Sequence, residues 1–239
     1  MTQPKILVLA IGVLAAAGAA SGFAGQKVYT YSVVHPVYGE IGTLTDSVER
    51  GPDAMRIESR LRIAVTVLGI VMYRQQCDTT EVMQGNRLVS LQSQSEKDGQ
   101  HLETQGKAEG GKFVVNGTAG SFTGPANIVP SDPWILEHSG EGTIVYASTG
   151  KISKAMVSGG SYETVTVNGA SLTARHFTVM GDIRQDVWLD DRGVPVMFRS
   201  VEDGTPIDFV LQGGPWTASA TQVASSERPA LPRPDKGNK

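Results

Sequence analysis

The chain has 239 residues, of which 40 % are hydrophobic and 19 % charged, a balance that excludes an intrinsically disordered protein. The formal charge is −3 and no basic cluster occurs, which argues against nucleic acid or an anionic membrane surface as partner. The 28 glycines are scattered between short apolar runs, a pattern that favours many tight turns and a β-rich fold.

The N-terminus reads as a secretory signal peptide over residues 1–24. Lys5 precedes an uncharged apolar stretch from Ile6 to Ala20. Ala17-Gly18-Ala19 and Gly22-Phe23-Ala24 both fit the small-x-small rule for cleavage. The apolar core is shorter than the roughly 20 residues of a spanning helix. We expect cleavage, no stable membrane insertion afterwards, and a periplasmic or secreted protein. Cleavage after Ala24 removes Lys5 alone among the charges. It leaves 20 basic against 24 acidic residues, or −4.

Strand signals follow in order. Residues 27–34 are β-branched and aromatic, and residues 40–50 alternate Ile41, Thr43 and Thr45 against Gly42, Leu44 and Asp46. After the Gly51-Pro52-Asp53 turn signal, Leu61, Ile63, Val65 and Val67 share one face. Arg60, Arg62, Ala64 and Thr66 share the other, with the period of two that marks a strand. The apolar run continues to Tyr73, too short for a membrane helix and rich in Val and Ile. Leu68-Gly69-Ile70 interrupts it and predicts a tight turn, bulge or bend. Beyond it, Tyr73, Gln75, Cys77, Thr79 and Glu81 fall on one face of a second strand.

Turn signals at Gln84-Gly85-Asn86, Lys97-Asp98-Gly99 and Glu109-Gly110-Gly111 separate three further strands, an antiparallel meander. The theme resumes at residues 142–148, passes a long polar stretch, and continues through residues 161–181 and 183–212. Asn168-Gly169, Asp191-Arg192-Gly193 and Asp203-Gly204 are hairpin signals. About a dozen candidate strands are too many for one flat sheet. Between the two runs, Asp132 is a predicted N-cap, Pro133 a first-turn residue and Gly140 a stop. Around Trp134, Ile135 and Leu136 we expect a helix of one or two turns. The tail, residues 213–239, has Pro, Ser and Ala without strand pattern and is expected to be disordered.

No standard catalytic or metal motif occurs, and neither cofactor nor metal is expected. Asp78-Thr79-Thr80 lacks the glycine of an aspartic-protease turn. His35, His101, His138 and His176 are far apart, and Glu137-His138 reads as a helix end. Asp182, Asp186, Asp190 and Asp191 lack calcium-loop spacing and read as a solvated strand face. Cys77, the only cysteine, is expected as a small buried side chain. With no acid–base or nucleophile–base arrangement to name, catalysis is not the expected role.

Four local pieces stand in order: Ile41-Gly42, the Val67 to Ile70 run followed by Tyr73-Arg74, Gly85-x-Arg87-Leu88, and Trp188-x-Asp190-x-x-Gly193. With them, residues 27–212 resemble an uncharacterised bacterial exported family, catalogued as a domain of unknown function (number sixty-one thirty-four). Met83, where an aromatic is expected, and the Pro133-Trp134 region depart from that pattern. The resemblance brings no activity. It implies an architecture similar to periplasmic lipoprotein-localisation carriers, in which a curved antiparallel sheet wraps an apolar cavity closed by short helices.

The expected fold is therefore all-β with minor α. Residues 25–212 form one strongly curved antiparallel meander sheet, a half-barrel or open barrel of about a dozen strands with one short helix. The expected role is binding or carrying an apolar ligand, a lipid or acyl chain, on the concave face. Val65, Val67, Ile70, Met72, Tyr73 and Trp134 are the candidate wall. The plainer reading of the same residues is a filled core. The alternative role is a cell-envelope structural or assembly factor acting through protein contacts.

Overall fold

The computed structural model describes residues 25–136, 139–202 and 204–215. The segment read as a signal peptide, the Glu137-His138 pair and the tail beyond Pro215 lie outside the described residues.

The first meander comprises β1 (Lys27–His35), β2 (Gly39–Arg50), β3 (Ala54–Val67), β4 (Ile70–Gln84), β5 (Arg87–Lys97), β6 (Gln100–Glu109), β7 (Lys112–Gly117) and β8 (Gly120–Pro125). The second comprises β9 (Val129–Pro130), β10 (Gly140–Val145), β11 (Ile152–Val167), β12 (Ala170–Met180), β13 (Arg184–Leu189), β14 (Pro195–Glu202) and β15 (Thr205–Gly213). All fifteen belong to one sheet, ordered β8 back to β1, then β15 back to β9. The antiparallel β1–β15 ladder, Tyr31 opposite Leu211 and Val33 opposite Phe209, welds the two meanders. Only the two-residue β9 runs parallel to its neighbour, β10.

Twisted strands in this number curl, and bulges sharpen the bend. Register shifts occur at Val33/Val34, Val65/Thr66, Val82/Met83 and Gly159/Ser161, among other places. The result is barrel-like but open. The edge strands β8 and β9 are joined by residues 126–128, and no backbone ladder pairs them. Gly124 in β8 packs beneath Ile128 of this connection and Ile152 of β11, whose Cδ1 atoms would lie 2.8 Å and 3.1 Å from a Cβ there.

The inward residues fill much of the lumen. Tyr31, Val33, Ile57, Val187, Val196 and Leu211 form the centre of the main cluster. Met83, Leu88, Leu91, Phe113, Val115 and Ile128 form a second under β5 to β8. The Tyr31 hydroxyl donates to Pro195 O at 2.9 Å, so its one polar atom is satisfied inside the core.

Three expectations change. Strands number fifteen rather than a dozen. The polar stretch after residue 148 belongs to β11, a 16-residue strand. Its polar side chains hid the alternation, and Gly159 and Gly160, both at positive φ, carry its bulge. The helix is a single 3-10 turn, Pro133–Ile135. Asp132 caps it as expected, accepting from Trp134 N at 2.9 Å. Leu136 has already left the helical region (φ −80°, ψ 92°), which ends the turn.

Candidate ligand cavity

The β3–β4 hairpin is longer than its neighbours. The β2–β3 ladder ends at Gly42 opposite Ile63, and the β4–β5 ladder ends at Gln75 opposite Lys97. Residues 64–73 therefore have strand partners only within the hairpin and project from the sheet, while Arg74 at its base bonds through N and O to Asp98. Leu68 (φ 51°) and Gly69 (φ 80°) make the tight turn. The tip is apolar and open to solvent: Leu68 is 97 % exposed, Ile70 64 % and Met72 65 %. Beside it, the β1–β2 turn exposes Val37 and Tyr38, and His35 Nδ1 accepts from Val37 N at 3.0 Å.

Behind the hairpin lies a cavity of about 350 Å³. Ile41, Leu61, Ile63, Val65, Met72, Tyr73, Ile207 and Phe209 wall it, with His35, Tyr38, Gln75 and Lys97 at its polar edge. The alternation read from β3 explains the wall: Leu61, Ile63 and Val65 all point inward. Lys97 Nζ sits 5.6 Å from the centre of the Tyr73 ring.

Three of the six candidate wall residues, Val65, Met72 and Tyr73, thus meet at one cavity. Val67 and Ile70 lie on the exposed tip instead, because they are the last pair before the turn. Trp134 is at the opposite end of the sheet. Its buried ring packs on Tyr29 at 4.7 Å, with the Arg50 guanidinium 5.9 Å from its centre. Tyr29 is near the start of β1 and Arg50 ends β2, whereas His35 and Gly39 are at the cavity end.

A second cavity of about 210 Å³ shares Leu61, Gln75 and Phe209 with the first. Its lining is more polar and includes Ser59, Cys77, Thr79, Glu81, Asp132 and Ser200. Glu81 is 3 % exposed and its Oε2 has no hydrogen-bond partner. Asp46 is buried close by; its Oδ2 accepts from Trp134 Nε1 at 2.8 Å, and its Oδ1 has no partner.

Burial pushes the Asp46 carboxyl up to about 6, against hydrogen bonds from Trp134 and Ser59. Burial first, then the neighbouring Asp132, Asp46 and Cys77, push Glu81 well above the carboxylate range. Asp132 is half-buried and lines the cavity; desolvation and then Asp46 push it up to about 8, against the bond from Trp134 N. The groups acting on these three carboxyls include no cation. Protonated, Glu81 and Asp132 can donate as well as accept hydrogen bonds in this second cavity, with Asp46 buried beside them.

In sequence Glu81 shares a face with Cys77 and Thr79 and Asp46 one with Leu44, and neither carboxyl stands out as buried. The available signal was alternation: Leu44, Asp46 and Val48 share one buried face, as do Glu81 and Met83. Cys77 is half-buried rather than buried, its Sγ 3.5 Å from the Thr79 and Ser93 hydroxyls.

The acidic run has local partners. Asp182 pairs with Lys151, Asp186 with His176 and Arg184, and Asp190 with Arg192; Asp191 accepts from Tyr162. His176 stacks on Trp188 at 4.6 Å. Among the described residues no group of His, Cys, Asp or Glu is arranged to hold a metal ion.

Comparison with known proteins identifies the relatives. The profile described as Domain of unknown function (DUF6134) matches residues 39–212. No curated protein matches. Among solved structures, the beta-barrel-like protein of Domain of Unknown Function DUF1849 from Brucella abortus is similar at a TM-score of 0.62 and 12 % identity. The match covers 79 % of this chain and 96 % of that one. At that identity the similarity speaks for the fold alone.

Proposed function

The chain belongs to the DUF6134 family, whose function is unknown, and we propose that it binds or carries an apolar ligand, a lipid or acyl chain. One observation carries this reading: the 350 Å³ apolar cavity lies directly behind a projecting hairpin whose tip is apolar and solvent-exposed. Small-molecule sites of about 300–1,000 Å³ with mainly apolar walls and a few placed polar groups are the common form of ligand pocket. An exposed apolar tip costs solubility and is retained where it meets an apolar surface. Met72 belongs to both features, since it lines the cavity and is exposed on the hairpin.

On this reading the protein is exported, cleaved near Ala24, and works in the periplasm or outside the cell. N-terminal sequencing of protein recovered from the envelope checks that part. The ligand is sought by native mass spectrometry and solvent extraction of the exported protein. One bound lipid or acyl compound per chain supports the reading. Protein that is empty as isolated, and that takes up no fluorescent fatty-acyl probe, refutes it.

A further inference from the structure

We propose that the cargo has a basic head group, a primary ammonium on an apolar body, and that Glu81 and Asp132 receive it. This rests on the apolar-ligand reading and names the class of ligand. The two cavities are adjacent and share Leu61, Gln75 and Phe209 as lining, so a molecule that displaces these side chains would span both. Along β4 the inward residues run from Tyr73 at the mouth through Gln75, Cys77 and Thr79 to Glu81, about 26 Å of strand. That length suits an extended chain lying in the apolar part with its head among the acids.

The head group follows from what the floor lacks. Among the described residues only two buried side-chain atoms have no partner, and both are carboxyl oxygens: Glu81 Oε2 and Asp46 Oδ1. Buried polar groups are nearly always paired, and each exception calls for a missing partner. The titratable groups around Glu81 are Asp46 from β2, Asp132 before the 3-10 turn and Cys77 from β4. Tyr31 from β1 faces Asp46 and Asp132, and Tyr146 also lines the cavity. No lysine or arginine lines it.

A carboxylate or phosphate head would add an anion to the two acids that line the cavity, with Asp46 buried beside them. An alcohol would supply a single donor. An ammonium brings three donors and the charge that the site lacks. Its arrival favours the ionised carboxyl, so the acids give up protons to solvent as it binds. The one cation at the cavity edge, Lys97, stands at the mouth, where it would serve an acid-headed ligand inserted tail-first.

The test compares dodecylamine, dodecanol and dodecanoate below their micelle concentrations, by native mass spectrometry and titration calorimetry on the exported protein. The amine is expected to bind one per chain, about tenfold or more tighter than the alcohol. Calorimetry in buffers of different ionisation enthalpy is expected to show proton release at pH 7. E81Q should remove the preference for amine over alcohol. D132N is the second variant and should weaken the amine in the same sense. If dodecanoate binds as tightly as the amine, or if both variants keep the amine preference, the head-group proposal is wrong while the carrier reading stands. If none of the three binds, both fall.

Discussion

The indole N–H of Trp134 donates to Asp46 at 2.8 Å, across 88 positions of sequence and inside the core. The bond ties the 3-10 turn, which follows β9 at the sheet edge, to the second strand of the first meander. It satisfies only one oxygen of Asp46, and Oδ1 stays unpaired. Trp134→Phe keeps an aromatic ring against Tyr29 and removes the indole donor, leaving Ser59 as the one remaining hydrogen-bond partner of the carboxyl. We expect a loss of about 1–3 kcal/mol of stability by chemical denaturation at pH 8. The loss should shrink at pH 5, where Asp46 is mostly protonated and cheaper to bury. A Trp134→Phe protein as stable as the parent at both pH values would show that the bond contributes nothing.

The three raised carboxyls set the sign of the pH dependence. Folded pKa values above the unfolded ones mean that the folded state holds more protons between them. The stabilisation is complete below the unfolded value near 4. It is lost as pH rises through about 6 for Asp46 and about 8 for Asp132. Glu81 extends the same trend upward. Asp132 is half-buried whereas Asp46 and Glu81 are buried, so the latter two should dominate. Asp182 and Asp186, whose carboxyls are held low, act in the opposite sense but only as pH falls below about 4. The melting temperature should therefore be higher at pH 5 than at pH 8.5. A melting temperature that rises across this interval contradicts the assignment.

Glu81→Gln removes a buried ionisable group that has no counter-charge. The substitution should stabilise the protein by about 1–3 kcal/mol at pH 8.5 and change little at pH 5, flattening the melting curve's pH dependence. Thermal melts of both proteins across pH 5–8.5 provide the measurement. Destabilisation at pH 8.5 would mean that Glu81 holds an ionic partner in the folded protein.

Much of the fold was legible because alternation is a strong signal wherever one face is buried. Leu61, Ile63 and Val65 were assigned to one face from spacing alone, and that face walls the cavity. The turns were legible where Gly or Asn accepts positive φ, as at Asn168-Gly169. Strand β11 was obscured because much of it faces solvent and its alternation is weak. Which apolar positions adjoin space depends on where neighbouring strands stop. Val65 and Val67 share a face in sequence, yet the β2–β3 ladder ends near Val65 and leaves Val67 on the projecting tip. The buried acids escaped for a related reason. Polar residues in a strand normally mark its wet face, and only the closed curvature of the sheet turns Asp46 and Glu81 inward.

Leu68 combines two unfavourable features: a left-handed backbone at φ 51° and a side chain 97 % exposed. Asparagine tolerates that backbone better and forms the preferred Asn-Gly hairpin turn with Gly69. Leu68→Asn should therefore leave stability unchanged or raise it by about 0.5 kcal/mol. Under the carrier reading the apolar side chain serves contact with the surface from which ligand is drawn. The same variant should then slow transfer of a fluorescent acyl probe from vesicles, while the affinity for probe already in solution stays the same. Leu68→Asp should slow it further, since a charge resists entry into the lipid interface. Transfer at the parental rate by both variants would separate the hairpin tip from ligand uptake.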